Sequence, residues 1–172
     1  MACSQTLRGI YRNCLPNAGG VRAVYLANRS MVSGMNVTTD GEIDSITMEE
    51  DSFFYEYQFA RGTASLSSNY QVNAENGTRY VQSDLVLVFN RMDAEKRAEL
   101  LKLVRGEVVA IVEDNNGIRW YLGIDRPLEL TAGDGLTGTA YGDRNGYSIT
   151  LTDISGQMPN ELTADWDTIP IA

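Results

Sequence analysis

The sequence predicts a mainly β protein, an antiparallel β-sandwich or barrel with one flanking α-helix at about residues 93–105. Short segments of alternating apolar and polar residues recur along most of its 172 residues, with Asp-Gly and Asn-Gly pairs that favour tight turns. One segment alone, MDAEKRAELLKLVRGE at 92–107, has the periodicity of a long amphipathic helix. No internal repeat divides the chain. We therefore expect one domain, with an N-terminal arm (1–20), a β-sandwich (21–155) and a C-terminal tail (156–172).

The first part of the chain predicts three strand regions. VRAVYLAN (21–28) is β-branched and partly alternating, which favours a strand. MNVTTDGEIDSITM (35–48) predicts two short strands around Asp40-Gly41, a favoured hairpin pair. SFFYEYQF (52–59) predicts a half-buried strand, because its aromatic residues recur at a period of two. The aromatic face would carry Phe53, Tyr55, Tyr57 and Phe59.

A long hairpin follows, formed by residues 63–72, the turn NAENG (73–77) and residues 78–90. Its base contains the apolar run LVLVF, whereas its outer half is polar on both faces. Polar two-faced strands are poorly specified alone, so we expect a neighbouring subunit to complete them. The predicted subunit contacts are Leu66, Tyr70, Val72 and Tyr80 on the hairpin, together with Trp166 in the tail.

The predicted helix lies between two buried strands, LVLVF and VVAIV. Asp93 is a suitable N-cap and stands four residues before Arg97, with which it could pair. Gly106 ends the helix. The apolar arc of the helix is wider than one sheet face needs. We expect it to lie against one face or the open edge of the sandwich.

The remaining strands come after the helix. EVVAIVED (107–114) is apolar on both faces, which is typical of a central strand. After a tight turn, IRWYLGI (118–124) returns, and LELTA (128–132) predicts another short strand. Residues 133–146 predict a glycine-rich loop, and YSITLTD (147–153) alternates cleanly. The tail has too little pattern to predict a core element.

Composition and charge exclude several classes of function. The 14 basic and 23 acidic side chains give a net charge of −9, and no polybasic segment is present, which argues against tight DNA binding. The sequence has no histidine, the side chain best suited to proton transfer near neutral pH. Cys3 and Cys14 could pair in an oxidising compartment, although such thiols are more often reduced. No apolar run has the length of a signal peptide or a membrane span, so we expect folding in the cytoplasm and no membrane partner.

Three motifs suggest chemistry, but each has a simpler explanation. GDGLTG (133–138) lacks the Gly-Lys-Ser/Thr ending of a phosphate loop, and EDNNG (113–117) lacks the ligand spacing of a calcium loop. The carboxylates of Glu49, Glu50 and Asp51 point to alternating faces if they lie on a strand, which does not suit paired catalysis. We therefore predict no catalytic, cofactor-binding or metal-binding residues, and a protein that is not an enzyme.

Three segments of the chain carry a resemblance to a known family. They are SFFYEYQFARGTASLSSNY, DLVLVFNRMDAEKRAELLKLVRGEVVAIVEDNNGIRWYLG and GDRNGYSITLTDISGQMP. In this order, over roughly residues 20–160, they resemble structural tail proteins of tailed bacteriophages. Among these, they are most similar to the tail-tube-like ring proteins of gut Bacteroides phages, including the crAss-like group.

This resemblance implies a structural virion protein of the phage tail, synthesised in the bacterial host cytoplasm. Its partners would be its own copies in a symmetric ring of six or twelve, and neighbouring tail or connector ring proteins. DNA would meet it only as cargo in the channel, during genome ejection. An acidic or neutral wall suits this role, because phosphate contacts are what create affinity for DNA. The candidate lining residues are either Asp40, Glu42 and Asp44, or Ser67 and Asn69.

Two further expectations complete the sequence-based predictions. Both chain ends carry few apolar anchors, so we expect them to be mobile in the free subunit and to dock on a neighbour, with Trp166 as the main anchor. A carbohydrate-binding β-sandwich module is the alternative function. It is suggested by the aromatic residues Tyr55, Tyr57, Trp120 and Tyr121.

Overall fold

A computed structural model describes residues 9–172 and shows a mainly β protein with antiparallel sheets and one α-helix, which confirms the predicted fold class. The predicted boundaries are close to those observed for most elements. The strands are β1 (Val21–Asn28), β2 (Val32–Val37), β3 (Ile43–Met48), β4 (Tyr55–Glu56), β5 (Ala64–Asn73), β6 (Thr78–Asn90), β7 (Val108–Asp114), β8 (Arg119–Leu122), β9 (Glu129–Leu136), β10 (Gly146–Ser155) and β11 (Asn160–Glu161). The helices are α1 (Ala94–Arg105) and two 3-10 turns, Arg29–Met31 and Trp166–Thr168.

The strands are arranged in three layers. A four-stranded sheet of order β5-β6-β10-β9 packs on one face of a five-stranded sheet of order β11-β8-β7-β1-β4. The β2–β3 hairpin covers the opposite face of the five-stranded sheet. Strand β7 is buried on both faces from Val108 to Val112, as its continuous apolar run predicts.

The first core fills the space between the two sheets. Successive residues of a strand point to opposite faces, so alternate residues of each strand enter this core. Strand β7 contributes Val108, Ala110 and Val112, and β6 contributes Leu85 and Leu87. The hairpin base is therefore buried, as predicted.

The second core lies on the other face of the five-stranded sheet and includes the C-terminal tail. Leu162 and Ala164 are each 2% exposed and pack with Ile111 of β7, as does Ile169. The ring of Trp166 packs edge-on against Tyr25, with centroids 5.0 Å apart. The prediction that residues 156–172 form no core element is therefore wrong, because the tail supplies apolar side chains that the β2–β3 hairpin alone does not provide.

Helix α1 begins where predicted, with Asp93 accepting a 2.8 Å hydrogen bond from the Lys96 amide. The Asp93 carboxylate forms its ion pair with Lys96 rather than with the predicted Arg97, since the cap geometry brings Lys96 to it. Leu103 is the buried residue of the helix, while Leu101 and Val104 stay 47% and 59% exposed. The wide apolar arc is thus only partly covered within the subunit.

Two strand predictions differ from the structure. In residues 52–59 only Tyr55–Glu56 is a strand, and Phe54 rather than Phe53 is fully buried. The tail causes this difference, because Phe54 exchanges backbone hydrogen bonds with Pro170 and Ala172. Strand β9 also continues to Leu136, through glycines that the sequence analysis assigns to a loop.

Candidate assembly surface

The outer half of the β5–β6 hairpin extends beyond its own sheet. Strand β10 pairs with β6 only as far as Val81, so the hairpin tip has no further strand beside it. At the tip, Tyr70, Val72 and Tyr80 are 66%, 64% and 39% exposed. Of the other predicted contact residues, Leu66 packs against the first core and Trp166 against the second. The structure therefore leaves three exposed side chains on the tip, whereas Leu66 and Trp166 have partners within the subunit.

The four-stranded sheet has an open edge on each side. Strand β5 forms one edge with ten residues, and β9 forms the other with eight. A register shift near Thr131 marks a β-bulge in the pairing of β9, which leaves residues 132–136 as the regular part of that edge. Long open edges present unpaired backbone groups that another chain can pair with.

The face of this sheet that points away from the first core carries a row of polar side chains, together with the apolar side chains of Val86, Val88, Leu136 and Ile154. The register places Ser67 and Thr152 on either side of Asp84, and both neighbours share its face. The Thr152 hydroxyl donates to Asp84 Oδ1 at 2.7 Å and lies 2.8 Å from the hydroxyl of Thr131. Gln82 donates to both oxygens of the same carboxylate. This row of hydrogen bonds crosses three strands and holds the polar side chains of the sheet in place.

The charge of this outer face is acidic. The register assigns it no Lys or Arg from the described strands, and its carboxylates are Asp84, Glu129 and Asp134. Asp134 is paired with Arg144 of the β9–β10 loop at 3.1 Å. Neither core cluster of the described residues includes a side chain from this face. Among residues 9–172 it is therefore an uncovered, weakly acidic surface, with hydroxyl and amide groups beside a few apolar side chains.

A buried polar row lies on the inner face of the same sheet. The Ser68 and Ser83 hydroxyls are 2.7 Å apart, and Asp153 stands opposite Ser83 in the register. Asp153 is 3% exposed, and its Oδ2 accepts from the Gly123 amide at 3.4 Å. Burial raises the pKa of Asp153. The hydrogen bond from Gly123 lowers this pKa by a smaller amount, and the negative charge of nearby Asp125 raises it further.

A groove lies between α1 and the β4 edge, and we call it the α1–β4 groove. It consists of two adjoining cavities of about 560 and 420 Å³. At its centre the Tyr57 hydroxyl donates to Glu99 Oε1 at 2.8 Å, and Lys102 donates to Glu99 Oε2 at 2.7 Å. Burial first, and then the Glu99 contact, raise the pKa of Tyr57. The groove is also lined by Tyr55, Glu56, Phe89, Glu95, Ala98 and Leu100.

The turn between β7 and β8 holds the base of the N-terminal arm, a contact that the sequence did not predict. Asn115 Nδ2 donates to the Gly19 carbonyl at 2.7 Å, and Asn116 Oδ1 accepts from the Ala18 amide at 2.7 Å. Residues 9–18 before this attachment form no helix or strand and are exposed. Two successive asparagines in a turn were the available signal, because their amides can bind backbone groups of a distant segment.

The structure separates most residues that suggested chemistry. Glu49, Glu50 and Asp51 are exposed and follow the end of β3. Tyr121 is fully buried in the second core, and Trp120 packs against the first, so the four aromatic residues form no common platform. Within residues 9–172, no cluster of His, Cys, Asp and Glu is placed to hold a metal ion. In the same range, no helix is long and apolar enough to cross a membrane. Cys14 is exposed, and Cys3 lies outside the described residues.

The sequence matches no protein-family model, and no curated protein matches it. Function is therefore inferred from the geometry of the chain and from the resemblance of its segments. Three features bear most directly on it, namely the open edges, the projecting tip and the acidic outer face of one sheet.

Proposed function

We propose that the protein is a structural subunit of a phage tail, in which copies form a closed ring of six or twelve around a channel for DNA. The observation that supports this most is the four-stranded sheet with two different open edges. If β5 of one copy meets β9 of the next, each copy uses two unlike surfaces, and such a contact generates a ring when its rotation closes. The sheets of successive copies then form a continuous wall.

The outer face of the four-stranded sheet is the proposed channel wall. Its hydroxyls, amides and three carboxylates offer phosphates no cationic partner on the described strands. Arg144 of the β9–β10 loop reaches this face, but it is paired with Asp134. A wall whose cation is neutralised in this way lets a polyanion pass without the counterion release that creates affinity. Of the two sets of lining residues suggested by the sequence, this choice favours Ser67 and Asn69 over the acidic β2–β3 hairpin, which covers the opposite side of the subunit.

The projecting β5–β6 tip is the proposed contact that joins neighbouring copies. Its exposed Val72 and Tyr80 lie past the end of β10, and the exposed Tyr70 lies level with that end. Burying such side chains against an adjacent copy stabilises the assembly through the hydrophobic effect. Neighbouring tail or connector ring proteins would stack above and below the ring.

Removal of the tip tests this proposal. Residues 71–80 are replaced by Asn-Gly, which joins the paired residues Tyr70 and Val81 by a two-residue turn. The unaltered protein should form rings by electron microscopy and an oligomer by light scattering. The shortened protein should be a folded monomer by circular dichroism and light scattering.

A matched pair of substitutions avoids changing chain length. Val72→Asp with Tyr80→Asp should block ring formation, whereas Tyr141→Asp, which alters an exposed aromatic residue in the β9–β10 loop, should not. An unaltered protein that stays monomeric at every concentration would favour the carbohydrate-binding alternative. Rings that form without the tip would reject its role as the contact.

A further inference from the structure

The described part of the N-terminal arm, residues 9–18, carries apolar side chains that the rest of residues 9–172 leaves exposed. Ile10, Tyr11 and Leu15 are 102%, 90% and 72% exposed, and no helix or strand forms between residues 9 and 18. Three exposed apolar side chains within six residues, on a segment attached at its base, are typical of an arm that binds to another surface. The arm is therefore a segment of this chain that could bind in an apolar groove.

The α1–β4 groove has the shape and lining to receive such a segment. Its two cavities share Tyr55 and Tyr57, so they form one continuous depression beside the short edge strand β4. Phe89, Ala98 and Leu100 give it an apolar floor. Strand β4 covers only two residues of the β1 edge, so an extended segment in the groove also lies near open backbone groups.

The charges of the arm and the groove are complementary. Among the described residues, Lys96 is paired with Asp93 and Lys102 with Glu99, whereas Glu56 and Glu95 take part in no ion pair. The exposed arm carries Arg12 between its apolar side chains. An arginine placed near Glu56 and Glu95 would give these two carboxylates a cationic partner, which they do not have among the described residues of their own subunit.

The arm cannot fill the groove of its own subunit as a whole. Its base is held at the β7–β8 turn, next to Val21, whereas β4 lies beside Leu26 at the other end of β1. Five strand residues separate these ends by about 16 Å. Leu15 is three residues from the attachment at Ala18, a reach of about 10 Å. Residues 10–12 lie six to eight residues from Ala18 and could span about 20 Å or more, but Leu15 could not. A neighbouring copy is therefore the occupant that can receive residues 10–15 together.

We propose that residues 10–15 of one copy bind in the α1–β4 groove of an adjacent copy, with Arg12 facing Glu56 and Glu95. This inference rests on the proposed ring and adds a further contact to those proposed for the sheet edges and the hairpin tip.

Disulfide trapping in the full-length protein tests the arm contact. The variant Ala98→Cys, with Cys3→Ser, places a thiol in the groove opposite the natural Cys14 of the arm. Mild oxidation should give covalent dimers and higher ladders on non-reducing gels. The ladder should disappear when Cys14→Ser is added, and should weaken several-fold with Ile10→Ser and Tyr11→Ser. The control variant Thr139→Cys, in an exposed loop, should give no ladder.

A charge exchange provides a second test on the same gels. Arg12→Glu alone and Glu95→Arg alone should each reduce the trapping rate several-fold, and the two together should restore it. Rings seen by electron microscopy that give no bond between Cys14 and position 98 would overturn the arm contact and leave the ring intact. A bond that forms within one chain would also overturn it. Protein that forms neither rings nor ladders would reject both proposals.

Discussion

The hydroxyl of Tyr57 donates a 2.8 Å hydrogen bond to Glu99 Oε1, which ties the segment after β4 to helix α1. Glu99 also accepts from Lys102, and this bond first, then the one from Tyr57, lowers the pKa of the Glu99 carboxyl against the opposing effect of partial burial. One carboxylate therefore connects the helix to the edge of the five-stranded sheet. This contact holds α1 beside the groove, together with the packing of Leu100 and Leu103 on the first core.

Tyr57→Phe should lower the free energy of unfolding by about 1 kcal/mol, because it removes a half-buried hydrogen bond to a charged acceptor. Urea unfolding monitored by circular dichroism would measure the change. Tyr55→Phe is the matched control, since this exposed ring lines the same groove without contacting Glu99. Equal effects of the two substitutions would mean that the hydrogen bond does not stabilise the helix position.

Asp153→Asn should stabilise the protein at pH 8 by about 1 kcal/mol, because it removes a buried carboxylate whose Oδ1 has no hydrogen-bond partner among the described residues. Burial raises the pKa of Asp153, so the folded state keeps the proton where the unfolded chain has lost it. The free energy of unfolding therefore falls as pH rises above about 4, the ordinary Asp value, through the raised pKa.

The pH profile of unfolding separates this effect from a general change in charge. The gain from Asp153→Asn should be smaller at pH 4 than at pH 8, as measured by urea unfolding at each pH. Glu129→Gln, which removes an exposed carboxylate of the neighbouring strand, should show no such dependence. A gain that is the same at both pH values would show that ionisation of Asp153 is not its source.

Leu162→Ala should destabilise the subunit by about 2–5 kcal/mol, the usual cost of a cavity in a packed core. Leu162 is 2% exposed and packs in the second core, although it belongs to the tail. Leu136→Ala, at a leucine that is 48% exposed, should change stability by less than about 0.5 kcal/mol. Thermal or urea unfolding would measure both, and a small effect at Leu162 would mean that the tail is not part of the folded core.

Gly146→Ala should destabilise the β6–β10 pair by about 1–3 kcal/mol or more, because an added Cβ would lie 2.0 Å from the carbonyl oxygen of Phe89. Gly142→Ala, in the preceding loop, meets no atom within 4 Å and should be nearly neutral. Chemical unfolding of both variants would measure the difference. A tolerated Gly146→Ala would show that the two strands can separate at this position.

Two lysines on the proposed channel wall should create an affinity for DNA that we do not expect of the natural surface. Ser67→Lys with Asn69→Lys should bind a short duplex in a salt-dependent manner, since each cation releases counterions from the phosphates. The unaltered protein should show no measurable binding at physiological salt by fluorescence anisotropy. The control is Ser33→Lys with Ser45→Lys, which adds the same charge to the exposed β2–β3 hairpin. Because this hairpin lies on the side opposite the proposed wall, the control should not hold DNA inside assembled rings. Submicromolar binding by the unaltered protein would reject a passive channel.

Local patterns in the sequence were sufficient to predict much of the fold. The helix is bounded by Asp93 and Gly106, whose capping preferences act within a few residues. The β5–β6 hairpin and the doubly buried β7 also follow from periodicity, because alternation and apolar runs depend only on neighbouring residues. The sequence predicted the exposed hairpin tip as well, since polar residues on both faces leave it without a core of its own.

The sequence by itself thus determined which segments become helices and strands, because hydrogen bonding and side-chain alternation act over short distances. Only the tertiary structure decided which surfaces are covered. The tail inserts Leu162 into the second core and binds the backbone of Phe54, which buries Phe54 in place of the predicted Phe53. Distant pairing likewise leaves the Ser67 face of the four-stranded sheet open, while the β2–β3 hairpin covers the other side. Such contacts join residues far apart in the chain. Their free energy depends on how closely the side chains pack, which a short sequence pattern cannot predict.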